Sequence, residues 1–154
     1  MKVKLLFFFL IQSTLFSPGF AQNYSTTERH YLSGKGPEDA VEWDFLCTAG
    51  RKSGVWTKIK VPSCWEQEGF GAYNYGVNFY GKATDPGIPT EQGQYKYEFE
   101  VPADWQGRRI KLVFEGVMTD TRVLVNGQKA GSLHQGGFYT FGFDITNLVK
   151  FGAK

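Results

Sequence analysis

Residues 95–101 read YKYEFEV and are followed by Pro102. Tyr95, Tyr97, Phe99 and Val101 alternate with Lys96, Glu98 and Glu100. A period of two with one charged face predicts a half-buried antiparallel strand whose apolar set faces the core. Pro102 closes it, because proline cannot donate to a ladder, and Trp105 starts the return. The same pattern recurs outward from this stretch. Val55, Thr57, Ile59 and Val61 share one side of a strand that Pro62 stops. Arg109 to Phe114 puts Ile110, Leu112 and Phe114 inward. Thr121 to Val125 and Gln128 to Leu133 flank Asn126-Gly127, the pair that best tolerates positive φ at both positions of a type I′ turn. Tyr139, Phe141, Phe143 and Ile145 alternate again, and Asp144 or Thr146 is placed to cap a short turn through Val149. Short strands, proline stops, one strong hairpin and no long helical pattern predict an all-β sandwich or jelly roll.

Composition agrees. Aromatic residues make up 17% of the 154-residue chain, with 14 Phe, 8 Tyr and 4 Trp, beside 19 Gly. Rings and glycines in this number suit strands and tight turns rather than a helix bundle. The length allows one domain. Formal charge is +2, and two of the lysines are Lys2 and Lys4. Without them the chain is neutral and has no basic cluster, which argues against nucleic acid as a partner.

Residues 1–21 have the layout of a secretory signal. Lys2 and Lys4 precede the apolar run Leu5 to Ile11, and Pro18 precede small residues at Gly19 and Ala21. The order of positive start, short apolar core and small residues predicts cleavage after Ala21 and export to the periplasm or beyond. The alternative is a buried N-terminal strand. The apolar run is too short to span a hydrocarbon layer of about 30 Å. Residues 22–42 read as a polar, turn-rich lead-in. An exported chain is permitted a Cys47–Cys64 disulfide, but two cysteines make no framework, and two buried thiols are the plainer alternative.

Chemistry-bearing residues are sparse. His30 and His134 are far apart and lack nearby cysteines, so no zinc site is expected. There is no Gly-x-Ser-x-Gly elbow and no phosphate loop. Glu66 and Glu68 are paired acids of the kind glycoside hydrolysis needs, but two such residues on one loop are expected to be solvated. Asp120 and Arg122 read as a surface pair, and His134 as a turn residue that satisfies backbone groups. The stretch from Cys64 to Pro89 stands out. It holds Trp65, Phe70, Tyr73, Tyr75, Phe79 and Tyr80, interleaved with Asn74 and Asn78. Rings stack on the C–H faces of sugars while amides and phenols bond hydroxyls. Equally, such rings can bury themselves in the domain's own core or against a neighbour.

Several of these pieces, taken in order, resemble a known family. Trp56 with VPSCWEQEGFG (61–71), GQYKYEFEVPADWQGRRIKLVFEGV (93–117), TRVLVNGQKAGSLHQGG (121–137) and FDITNLVKFG (143–152) resembles the N-terminal sugar-binding domain of glycoside hydrolase family 2, β-galactosidase type. The resemblance assigns residues 43–154 to a galactose-binding-like jelly roll. It also implies a core strand after Gly152, so the sandwich is expected to lack its C-terminal strand and the chain to be an N-terminal fragment. Family members carry their two catalytic glutamates on a separate (β/α)₈ barrel, the acid/base after an asparagine. No Asn-Glu dipeptide occurs here. The resemblance therefore implies no catalytic residue and no cofactor in this chain. Its expected partners are a β-galactoside-type glycan and the catalytic barrel of the parent chain, with neither nucleic acid nor a membrane span. In the family, an asparagine in the loop after VPS-x-W reaches the sugar pocket. Asn78 is the nearest asparagine to that position, which an ungapped alignment gives to Val77, and the resemblance implies Tyr75 and Tyr80 beside it as accompanying substrate contacts. Two other readings stand beside this one: a stand-alone carbohydrate-binding module, and a structural interaction domain with no sugar contact.

Overall fold

The computed structural model describes residues 26–72 and 91–153. The signal-like segment 1–21 and most of the aromatic loop, including Tyr75, Asn78 and Tyr80, lie outside the described residues. Residues 26–30 have no regular structure and are exposed, and residues 31–153 belong to one compact unit. Within that unit the regular elements are strands, with short 3-10 turns at Pro37–Asp39 and Ala103–Trp105. The architecture is all-β, as the alternation predicts.

Strands β1 (Val41–Cys47), β2 (Thr57–Val61) and β3 (Gly93–Lys96) form an antiparallel sheet in the order β2-β1-β3. Its register pairs Phe45 with Thr57 and Tyr95, Trp43 with Ile59, and Cys47 with Gly93. Successive side chains alternate across a pleated sheet. One face therefore carries Val41, Trp43, Phe45 and Cys47 with Ile59, Val61 and Tyr95. Phe45, Cys47, Ile59 and Phe70 form its buried core, with Val61 and Trp65 packed against it. The other face pairs Glu42 with Lys60, and Asp44 with Lys58 and Lys96. Lys58 Nζ lies 2.7 Å from Asp44 Oδ1. Opposite charges placed across neighbouring strands support this register.

Six shorter strands make three antiparallel ladders. They pair β4 (Lys111–Phe114) with β9 (Phe141–Asp144), β5 (Asp120–Thr121) with β8 (His134–Gln135), and β6 (Leu124–Val125) with β7 (Gln128–Lys129). Their core is Val101, Ile110, Val125 and Ile145, with Phe99, Trp105, Leu112, Val123, Phe143, Leu148 and Phe151 around it. The hairpin joining β6 to β7 has Asn126 at φ 50 and Gly127 at φ 78, the two positive angles that a type I′ turn requires. Asn126 also donates from Nδ2 to the Leu148 carbonyl at 2.8 Å, tying this turn to the chain's last segment. Asp144 caps the turn after β9, its Oδ1 accepting from Thr146 N at 3.1 Å and from Thr146 Oγ1 at 2.6 Å. The Thr146 hydroxyl in turn accepts from Ile110 N at 2.9 Å.

Residues 95–101 are regular strand only as far as Lys96. Lys96, Glu98 and Glu100 are exposed and Val101 is buried, as the alternation requires. Phe99 is half-buried, and Tyr95 and Tyr97 are 40% and 38% exposed rather than enclosed. The reason is position: β3 is an edge strand, so its rings have a strand neighbour on one side only. Tyr95 packs on Phe45 with ring centroids 4.8 Å apart, and Tyr97 stacks on Trp43 at 4.8 Å and 13°. The face is read correctly and its burial is overestimated.

Candidate functional site

The aromatic loop begins as a tight coil. Gln67 N and Glu68 N donate to the Cys64 carbonyl, and Phe70 N donates to the Trp65 carbonyl at 3.0 Å. The coil can close because Gly69 takes φ +87 and Gly71 φ +64, a region that favours glycine. Gly71 then exchanges two backbone hydrogen bonds with Arg51, of 2.9 and 3.1 Å, and Arg51 Nε adds a third to the Gly71 carbonyl. On the return side, the Glu91 carboxylate accepts from Ala72 N at 2.9 Å. Gln92 N donates to Thr48 Oγ1 at 2.8 Å, and Thr48 N donates to the Gln92 carbonyl at 3.0 Å. The residues on either side of segment 73–90 are thus held together beside the end of β1. A shallow open depression there is lined by Gly50, Arg51, Gly71 and Ala72.

Trp65 and Phe70, the two loop aromatics within the described residues, serve the core. Phe70 is 6% exposed and meets Phe45 edge-on, with centroids 4.9 Å apart. Trp65 packs at 5.7 Å from Phe45 and lies across Gly93. A Cβ on Gly93 would stand 1.7 Å from Trp65 Cζ3, so only glycine fits beneath that ring. Neither ring is a solvent-open platform for a sugar. Nothing in the alternation of residues 93–101 marks Gly93 as the seat of a tryptophan, and Glu91 and Thr48 carry no motif, so their clamp is invisible in sequence.

The acids near this loop do not form a catalytic pair. Burial raises the Glu66 carboxyl, but hydrogen bonds from Cys64, from its own backbone N–H and from Trp65 outweigh it and hold the group below its ordinary value. That is the wrong direction for a general acid, which must keep its proton near neutral pH. Glu68 is exposed, and its contribution is a backbone carbonyl that accepts from Lys52 Nζ at 3.0 Å. Cys64 donates from Sγ to Glu66 Oε2 at 3.0 Å, and this bond pushes its thiol up, away from the reactive thiolate. Both cysteines are free. Cys47 is buried, whereas Cys64 is exposed, so the expectation of two buried thiols holds for one of them. Although 40% of Tyr95 is exposed, desolvation first, then the neighbouring acidic groups Cys64, Glu66 and Cys47, push its phenol up to about 12.

Asp120 accepts from Gln135 Nε2 at 3.2 Å, because the β5–β8 register sets those residues opposite each other, where the sequence suggested Arg122. His134 is a strand residue rather than a turn residue. Its ring stacks on Phe141 with centroids 3.5 Å apart, and its Nε2 is buried without a hydrogen-bond partner. Among the described residues, no group of three or more His, Cys, Asp or Glu could hold a metal, and no helix is long and apolar enough to cross a membrane.

Residues 43–154 match the family model described as "Glycosyl hydrolases family 2, sugar binding domain". The chain belongs to this family. A β-galactosidase of Alteromonas mediterranea is 32% identical over 145 residues, which is 87% of this chain and 14% of that protein. A β-galactosidase of Thermoanaerobacter pseudethanolicus is 41% identical over 58 residues, 38% of this chain and 8% of that protein. A β-glucuronidase of Bacteroides fragilis is 39% identical over 62 residues, 40% of this chain and 9% of that protein. Among solved structures, a family 2 member from Bacteroides cellulosilyticus aligns at a TM-score of 0.49 and 22% identity, over 74% of this chain and 16% of that one. The family 2 domain thus spans a small part of the length of each of these relatives. The family match begins at Trp43, in β1, so all of the sheet built on Phe45 except Val41 and Glu42 lies within it.

Proposed function

We propose that this sugar-binding domain is the N-terminal part of an exported family 2 glycosidase that acts on a β-galactoside-type glycan. The catalytic carboxylates would come from a barrel domain of the same parent protein. The family match over residues 43–154 carries this reading. Two of the relatives named above are β-galactosidases, which favours that substrate class. Export is supported by the signal-like order of Lys2 to Ala21. Asn78, with Tyr75 and Tyr80, is the set proposed to meet substrate. The fixing of the flanking residues, Ala72 by Glu91 and Gln92 by Thr48, supports it, since both bonds lie next to the segment that carries the set. Domain and barrel would then divide the work, one holding the glycan and the other cleaving it. The test is to incubate the purified chain with nitrophenyl β-galactoside and β-glucuronide, and to run it through gels containing soluble β-galactan. Retardation without turnover is expected. Turnover, or indifference to every glycan tried, contradicts the reading. Expression in an exporting bacterium should yield a protein shortened by residues 1–21, read as its intact mass.

A further inference from the structure

The loop between β8 and β9 exposes apolar groups that the fold does not use. Phe138 is 92% exposed, Tyr139 55% and Met118 70%. Phe138 and Tyr139 follow a double glycine, and Met118 lies beside it. A Cβ on Gly136, whose φ is +126, would meet Tyr139 Oη at 2.5 Å, and one on Gly137 would meet Met118 Sδ at 3.2 Å. The loop is held in shape. Tyr139 Oη donates to the Gln135 carbonyl at 2.7 Å, and Gly136 N donates to the Thr119 carbonyl at 2.9 Å. A ladder of rings backs it: Phe114 stacks on Phe141 at 5.0 Å, Phe141 on His134 at 3.5 Å, and His134 meets the Tyr139 ring at 5.3 Å and 75°. A fixed loop that holds a phenylalanine in water is a prepared contact surface, because a loop free to relax would bury that ring.

We infer that Phe138, Tyr139 and Met118 form a carbohydrate-contacting surface. The inference rests on the sugar-binding reading above. Two observations select a sugar. Aromatic side chains bring about 150–250 Å² each, so Phe138 at 92% and Tyr139 at 55% exposure offer roughly 300 Å², well under the about 800 Å² per partner of a standard protein interface but enough for one or two sugar rings. Beside the rings, Gln135 and Asp120 are exposed and joined by a 3.2 Å hydrogen bond. An amide and a carboxylate offer the donors and acceptors that orient vicinal hydroxyls. The rings take the C–H face of a pyranose and the polar pair takes its edge, so the ligand is a neutral glycan chain.

The test is affinity electrophoresis of the whole chain in soluble β-galactan and, separately, soluble β-glucan, comparing wild type with Phe138→Ala, Gln135→Ala and Tyr31→Ala. Phe138 is so exposed that its loss leaves folding intact, and the thermal midpoint checks this. Phe138→Ala is expected to weaken retardation about tenfold, in line with loss of a dominant aromatic contact. Gln135→Ala weakens it less, and Tyr31→Ala, an exposed ring that is not part of the patch, leaves it unchanged. Retardation of wild type with no change in Phe138→Ala overturns the inference and leaves the sugar-binding reading standing. Failure of wild type to bind either glycan overturns both. A Phe138→Ala protein that changes its elution volume on size exclusion but not its retardation assigns the patch to a protein partner and also overturns the inference.

Discussion

Two hydrophobic cores among the described residues are built differently. The three-stranded sheet gathers its core around one ring: Phe45, fully buried, touches Trp65, Phe70 and Tyr95. The ladder region distributes its core over four aliphatic residues, Val101, Ile110, Val125 and Ile145, each backed by partly buried neighbours. The first arrangement follows from a seven-residue central strand with partners on both sides, which lets one side chain be enclosed from every direction. The second follows from ladders of two to four residues, none long enough to bury a residue alone. Where burial is concentrated, one truncation empties the core. Where it is shared, neighbours close over the gap.

The sharpest way to break this contrast is to cut each core once. Phe45→Ala should cost about 3–5 kcal/mol, the range for deleting a buried ring. Ile145→Ala, at the most buried aliphatic position, should cost about 2 kcal/mol, the low end for truncating a buried aliphatic side chain, because its neighbours close over the gap. Urea unfolding of the two variants measures both, and equal losses would show that the cores are alike. Next in size, Gly93→Ala forces Trp65 off its seat, and overpacking of this kind costs typically about 1–3 kcal/mol. Tryptophan fluorescence should shift to the red as that indole meets water. An unshifted spectrum would place Trp65 outside the core. Smaller again, Gly127→Val puts a β-branched residue at φ 78 and should cost about 1 kcal/mol or more, read as a lowered thermal midpoint in the ladder region.

The smallest effect is electrostatic and belongs to the ladder region. Hydrogen bonds from Thr146 Oγ1, then from Arg109, then from Thr146 N hold the Asp144 carboxyl well below its ordinary 3.8, at about 2. A depressed carboxyl stabilises the fold only while ionised. Its contribution is present above the unfolded value near 4 and is lost as pH falls through about 2. Asp144→Asn should therefore flatten the acid limb of the stability–pH curve between about 4 and 2. An unchanged limb would mean that other carboxylates set it. The group is exposed, so the change is modest.

Alternation and turn chemistry made much of the fold legible. The faces of residues 57–61 and 110–114, the Asn126-Gly127 hairpin and the Asp144 cap all follow from local rules acting over a few residues. What stayed hidden depends on tertiary neighbours. That β3 is an edge strand, and so leaves Tyr95 and Tyr97 half open, is decided by sheet order and not by the strand's own pattern. The even choice between a sugar platform and a buried cluster resolves toward the core for Trp65 and Phe70, because Gly93 and Phe45 receive them, and neither carries a signal of that role. Asn78, Tyr75 and Tyr80 stay a proposal drawn from the family. Phe138, which no local rule singles out, emerges only from its exposure and from the ring ladder beneath it.

The division of labour between buried and exposed aromatics is open to one direct measurement. Trp65→Ala and Phe138→Ala should each be scored for thermal midpoint and for retardation in soluble β-galactan, below the lower of the two melting transitions. Trp65→Ala is expected to lose stability, about 3 kcal/mol for a ring truncated in a core, and to keep its affinity while folded. Phe138→Ala is expected to keep its midpoint and lose affinity about tenfold. The opposite crossing, in which Trp65→Ala melts like wild type yet no longer binds, would contradict the assignment of the loop tryptophan to the core and of Phe138 to the glycan.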